Sequence, residues 1–306
     1  MKKHLIALAT VALGASCTAN AGVYGTAYLS LSQFSIEVQD PNSGNVISDV
    51  SNFVEIDSGS RGTAVNAGWN GFALTDQDQS GSDPEYPADA ELRCMGPECG
   101  LVGLTENTST GLTSHAFNFS AADAQVSGSL LGGDAAGFTY ADAGIDTDMF
   151  SEANATSTIG NQAIASTINI AGPISIRFSA LVDVLVDAFI SDDIKNDNTI
   201  DAYAFASASF SATLTPVGGF LPVAGAGGSW ADLASDTPGP DALSFDQTFP
   251  YQSDWFLINP GQYSLNIEQT SDVIIDQVKV IPEPSGLALM GLSILGLGFA
   301  GRRKFK

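Results

Sequence analysis

From Ile174 to Ile190 the chain reads ISIRFSALVDVLVDAFI, and Ile174, Ile176, Phe178, Ala180, Val182, Val184, Val186, Ala188 and Ile190 fall on every second position. In a strand that period puts them all on one face and Asp183 and Asp187 on the other. A helix over 180–190 is the alternative, because Leu181 and Leu185 also permit it. After the polar stretch SDDIKNDN a second alternating run follows, IDAYAFASASFSATLTP, and the two predict a long antiparallel hairpin. Its small Ala and Ser residues suit the close packing of another sheet, or of long side chains from opposite strands. Shorter strand candidates are YGTAYLSLSQFSIEVQD, NFVEID, GWNGFAL and HAFNFSAADAQVSGSL. Near residue 270, GQYSLNIEQT and SDVIIDQVKVI predict a final pair of strands separated by a Ser-Asp turn. Residues 71–100 and 215–250, with their clusters of Pro, Gly and Asp, predict long loops. No internal repeat marks a propeller or solenoid. Many short strands with Gly-rich turns predict an all-β domain over residues 22–280, sandwich-like or jelly-roll-like.

The two ends do not share this pattern. Residues 1–21, MKKHLIALATVALGASCTANA, have two lysines, an apolar run and small residues at Ala19 and Ala21, the three parts of a secretory signal peptide cut before Gly22. A retained N-terminal membrane helix and a lipoprotein cysteine at Cys17 are the alternatives. At the other end Pro282-Glu283-Pro284 leads into the apolar run Leu287–Ala300, and Arg302, Arg303, Lys304 and Lys306 follow. The prolines keep the backbone extended and set this segment apart from what precedes it. The run is shorter than the roughly 20 residues that span a bilayer comfortably. It has no polar face, however, and the cations after it suit a membrane segment whose tail stays cytoplasmic.

This order of parts, Pro-Glu-Pro, apolar segment and Arg302-Arg303, resembles the PEP-CTERM sorting signal of Gram-negative bacteria. The resemblance covers 281–306 and implies export across the inner membrane, transient anchoring by a transmembrane helix, and recognition of the Pro-Glu-Pro region by an exosortase. That membrane protease would cut there and release the protein, or transfer it to the cell surface, in bacteria that make exopolysaccharide. The tail is then an address, and it leaves the work of the delivered domain open.

Charge narrows that work. Only Arg61, Arg93, Arg177, Lys195 and Lys279 of the 11 basic residues lie between the two ends, whereas nearly all of the 34 acidic ones do, so the domain is more negative than the whole-chain −23. Such a field repels phosphate backbones and anionic lipid and disfavours nucleic acid as a partner. Cations and neutral polysaccharide remain compatible with it, as does simple solubility. Cys94 and Cys99, in CMGPEC, predict a disulfide in an oxidising compartment, with Gly96-Pro97 forming the turn between them. In DQDQSGSDPEYPADAE the residues Asp76, Asp78 and Ser80 alternate before Gly81, like the first half of a calcium loop. Pro87 stands where such a loop needs its glutamate, so Asp83, Glu85 or Asp89 would have to complete the site. A solvated acidic loop is the competing reading. Asp192, Asp193 and Asp197 form a second, weaker candidate for calcium.

Catalysis has little support. His115 is the one histidine of 22–280 and has no Gly-x-Ser-x-Gly elbow beside it, and the many acidic residues make accidental carboxylate pairs abundant. Trp69, Trp230 and Trp255, with Tyr86, Tyr251 and Tyr263, could stack on sugar rings if exposed together, although Trp in a sandwich more often packs. The expected function is a non-catalytic surface or matrix protein associated with exopolysaccharide, biofilm or floc. The alternatives are a carbohydrate- or calcium-binding adhesion module and, behind it, a secreted polysaccharide hydrolase.

Overall fold

Sixteen strands carry the chain through a computed structural model that describes residues 21–47, 50, 53–58, 60–80, 87–107, 117–128, 133–146, 150–160, 166–235 and 244–280. In chain order they begin β1 (Ala21–Gln39), β2 (Val46–Ile47), β3 (Val54–Ser58), β4 (Arg61–Trp69), β5 (Phe72–Ser80) and β6 (Ala88–Met95). After a 3-10 turn at Cys99–Leu101 come β7 (Phe119–Ser127), β8 (Ala135–Asp146), β9 (Ser151–Ile159), β10 (Ser166–Ile170) and β11 (Ile174–Ile190). A single helical turn, α1 (Asp192–Lys195), leads to β12 (Ile200–Pro216), β13 (Ala224–Ser235), β14 (Phe245–Gln252), β15 (Phe256–Ile258) and β16 (Gly261–Lys279). The described fold is all-β, as the alternation of the sequence predicts.

The strands form two antiparallel sheets. One runs β14-β11-β1-β8-β7-β6, with β15 paired to β11 and β2 to β1, and the other runs β13-β12-β16-β9-β4-β5, with β10 and β3 continuing from β16. They stack face to face: β11 and β1 lie against β12, β8 lies against β16 and β9, and β6 lies against β4. The residues of β11 that alternate in sequence are its buried face, from Ile174 to Ile190, and they pack with Ala202, Ala204, Ala206, Ala208, Phe210 and Ala212 of β12 in one core. Burying a Val or Ile side chain completely is worth about 1.5–3 kcal/mol. That gain is what fixes the register, since a one-residue slip would expose the whole set.

Several sequence expectations are corrected. β11 and β12 do not form a hairpin; β11 pairs with β1, β14 and β15, whereas β12 pairs with β13 and β16. The helical turn α1 carries the chain from one sheet to the other, so their apolar faces stack instead of lying side by side. The final "pair" is one continuous strand, β16. Ser271, read as a turn, is fully buried and exchanges a hydrogen bond of 2.9 Å with Thr139 of the opposite sheet. GWNGFAL is a strand–turn–strand: Asn70 (φ 50) and Gly71 (φ 78) both lie in the left-handed region, and the Asn-Gly pair makes the tight turn between β4 and β5. The predicted loops contain β5 and β6 (71–100) and β13 and β14 (215–250).

The inner faces also carry polar ties between the sheets. Gln269 of β16 donates to the backbone carbonyl of Leu29 and, at 3.0 Å, to Thr139. The hydroxyl of Ser120 in β7 donates to the carbonyl of Asn154 in β9. A buried polar group left unpaired would cost about 1–3 kcal/mol, so each tie removes a penalty and fixes how the sheets sit.

Candidate functional site: carboxylates at the sheet edges and on the outer face

The acidic run singled out in the sequence lies along a seam. β5 ends one sheet and β6 ends the other. Alternate residues of a strand share a face, which aims Asp76 and Asp78 together at β6. Asp76 pairs with the Arg93 guanidinium at 3.0 Å and accepts the backbone N–H of Glu91 at 2.9 Å. Asp78 accepts the N–H of Asp89 at 3.0 Å. The carboxylates therefore satisfy edge amides of β6 that no strand partners, and they close a sheet edge that would otherwise stand open. The opposite margin repeats the device: buried Asp232 of β13 accepts the N–H of Ala188 in β11 at 2.8 Å, just past the end of the β14 pairing.

These contacts change the calcium-loop reading. Asp76, Asp78 and Ser80 belong to β5, paired with Val65, Thr63 and Arg61 of β4, and not to a loop. Both aspartates are engaged by β6. Asp83 and Glu85 lie outside the described residues. Among the described residues no three of His, Cys, Asp and Glu are gathered to hold a metal. In the second candidate, Asp197 accepts both the N–H (2.9 Å) and the hydroxyl (2.7 Å) of Thr199, and the hydroxyl bond above all holds its carboxyl below the usual range.

Two further carboxylates, missed from the sequence, are buried on the face of the first sheet that points away from the core. Asp142 of β8 is 0% exposed and accepts the Tyr140 hydroxyl at 2.5 Å, with Tyr24 of β1 beside it. Burial pushes its carboxyl up to about 8, against the pull of the Tyr140 hydrogen bond. Burial and the nearby Asp142 charge raise both tyrosine hydroxyls well above their ordinary value. Asp123 of β7, directly across from Tyr140, is 1% exposed. Burial raises it to about 6; the N–H of Asn107, 2.5 Å from its Oδ2, works the other way, and the charges of Asp89 and Glu106 add to the rise. Asn107 also donates from Nδ2 to Asp89 at 3.2 Å, as does Gln125 at 3.3 Å.

The segment before Asn107 is pinned. Cys94 and Cys99 are disulfide-bonded, with Cα atoms 5.8 Å apart. Between them Gly96 has φ +117, and a Cβ there would lie 2.6 Å from the Asn118 carbonyl oxygen, so only glycine fits. Glu98 accepts the N–H and the Nδ2 of Asn118 at 2.8 and 3.0 Å, which ties the turn to the start of β7.

The aromatic candidates among the described residues are engaged in packing contacts. Trp230 stacks on Phe210 and Phe245, with ring centroids 6.2 and 6.0 Å apart, and helps join β13 to β14 across the sheets. Tyr251 packs edge-on against Phe210, and its hydroxyl oxygen accepts the Gly227 N–H at 3.0 Å. Trp255 lies under the Arg177 guanidinium, 4.7 Å from the ring centre, and that guanidinium is held by Glu37. Tyr263 is buried, with its hydroxyl on the Asn259 carbonyl, and Trp69 packs against the core from the β4 end. Tyr86 and His115 lie outside the described residues, as do Ala19, Pro282, Glu283, Pro284, Arg302 and Arg303. Ala21 opens β1.

Residues 280–304 match the family model of the PEP-CTERM protein-sorting motif. No curated protein and no solved structure matches the chain. The chain therefore carries a PEP-CTERM sorting motif behind a two-sheet β-domain, and the motif implies exosortase-dependent sorting to the cell surface of a Gram-negative bacterium.

Proposed function

We propose that this is a non-catalytic surface or extracellular-matrix protein, exported by an N-terminal signal peptide, held briefly in the inner membrane by residues 281–306, and cut by an exosortase to join the exopolysaccharide envelope. The observation that carries the reading is the sorting motif at 280–304. The domain supports it in character. Asp76, Asp78 and Asp232 are engaged in closing sheet edges, and Trp230 in joining strands. The acidic composition suits a soluble component of a hydrated polysaccharide matrix.

The test is fractionation of the producing bacterium with and without its exosortase. With the enzyme, the protein is expected in the surface and matrix fractions; without it, in the inner membrane with its tail intact. An identical distribution in both strains would overturn the reading. A calcium-binding adhesion module is the second reading, favoured by the buried oxygens around Asp123.

A further inference from the structure

Asp89, Asn107 and Asp123 come from three separate parts of the chain, and Asn107 joins the two aspartates through only two of the five side-chain oxygens that the three residues carry. Asn107 gives its backbone N–H to Oδ2 of Asp123 and its Nδ2 to Oδ2 of Asp89. That second bond fixes the amide orientation and turns its oxygen away from Asp89 Oδ2. What remains is Oδ1 of Asp89, Oδ1 of Asn107 and Oδ1 of Asp123: each is buried, and none has a hydrogen-bond partner. Asp123 itself is 1% exposed. Buried acceptors are nearly always satisfied, and three unsatisfied ones on two aspartates and the asparagine that links them call for a partner.

That partner is positive. The charges acting on Asp123 are those of Asp89 and Glu106, both negative, and Arg93, the cation of β6, is turned to Asp76 and Glu91 instead. Two carboxylates and an amide oxygen, with no nitrogen or sulfur donor, are the ligand chemistry of a hard divalent cation. The backbone is shaped to the task. Asn107 has φ 57, a left-handed conformation that Asn tolerates, and it brings side chain and N–H together over β7.

We infer that Asp89, Asn107 and Asp123 form a calcium site on the outer face of the first sheet, pinning the segment that follows the Cys94–Cys99 disulfide onto β6 and β7. The site adjoins the seam through Asp89, whose N–H goes to Asp78, but it does not use the carboxylates of Asp76 and Asp78, which are engaged there. Its few protein ligands leave the remaining positions to water and place it in the weak, 10⁻⁴–10⁻³ M class typical of extracellular modules.

The test uses the full chain in mild detergent, stripped with EDTA and melted under circular dichroism as calcium chloride is added. Calcium at tenfold above its dissociation constant should raise the melting temperature by about 3–5 °C. Asp123→Asn keeps an acceptor for the Asn107 N–H and should abolish the rise, as should Asp89→Asn, whereas Asp76→Asn should retain it. Because a variant could fail to fold, the wild type is also titrated with terbium. Tyr140 lies directly across from Asp123, so excitation of tyrosine should give sensitised emission that calcium displaces. No shift in the wild type up to about 10 mM calcium, an equal shift in Asp123→Asn, or terbium emission that calcium leaves unchanged would each overturn the inference.

Discussion

Replacing Asp142 by Asn should stabilise the protein at neutral pH and leave it nearly unchanged in acid. In the folded chain the carboxyl is raised from 3.8 to about 8, chiefly by burial. A folded-state value above the unfolded one means that the native state holds a proton which the unfolded chain has lost. Stability from this group is therefore fully present below pH 3.8, falls as pH rises, and levels off above about 8. At 1.36 kcal/mol per unit, the interval from 3.8 to pH 7 amounts to an upper bound of about 4 kcal/mol. Asn has the shape of the protonated acid and its oxygen can take the Tyr140 hydroxyl, so the variant keeps the hydrogen bond without the titration. Urea unfolding of both full-length proteins in EDTA, at pH 4, 5.5 and 7, reads the difference directly. The gap should open steadily with pH. Asp123, raised to about 6, contributes the same sign of slope in both proteins and drops out of the difference. Parallel stability curves over this range would refute the claim that Asp142 is held protonated by burial.

Three other perturbations follow from the geometry. Cys94→Ser with Cys99→Ser opens a loop of sequence separation 5 and should lower unfolding free energy by about 2 kcal/mol, read as a urea midpoint shift between oxidised wild type and variant. Gly96→Ala should cost about 2–3 kcal/mol, because its Cβ would meet backbone at 2.6 and 2.7 Å and its φ of +117 disfavours any side chain; a melting temperature within a degree of wild type would contradict this. Trp230→Ala should cost about 3 kcal/mol by removing its contacts with Phe210, Phe245 and Phe249 at the margin where β13 meets β14, and limited proteolysis should then cut near β14 first.

How much of this could be read from residues alone differs from strand to strand. The faces of β11 and β12 were legible because both alternate without interruption. Their partners were not, because a period of two says which side is buried and nothing about which strand lies alongside. The polar strand β5 resembles a loop in sequence because its acids point at β6 across the seam and supply hydrogen bonds where a core strand would supply apolar side chains. Asp142 and Asp123 sit in YADAG and AADAQ, where flanking alanines gave no sign that the acid itself is buried. For Asp142 the available clue was an acid between small residues two positions after a tyrosine of the same strand; for Asp123, whose strand carries no tyrosine, there was none. The disulfide and the sorting motif were legible because their chemistry is local: two cysteines about a Gly-Pro turn, and a tripeptide, an apolar run and cations in fixed order.

Intact mass of the protein recovered from the native cell surface and medium decides whether delivery runs through an exosortase. Exosortase-dependent sorting predicts a chain that begins at Gly22 and has lost residues 285–306, with the cut near Pro282-Glu283-Pro284. A surface form that still carries Arg302 to Lys306 would contradict it.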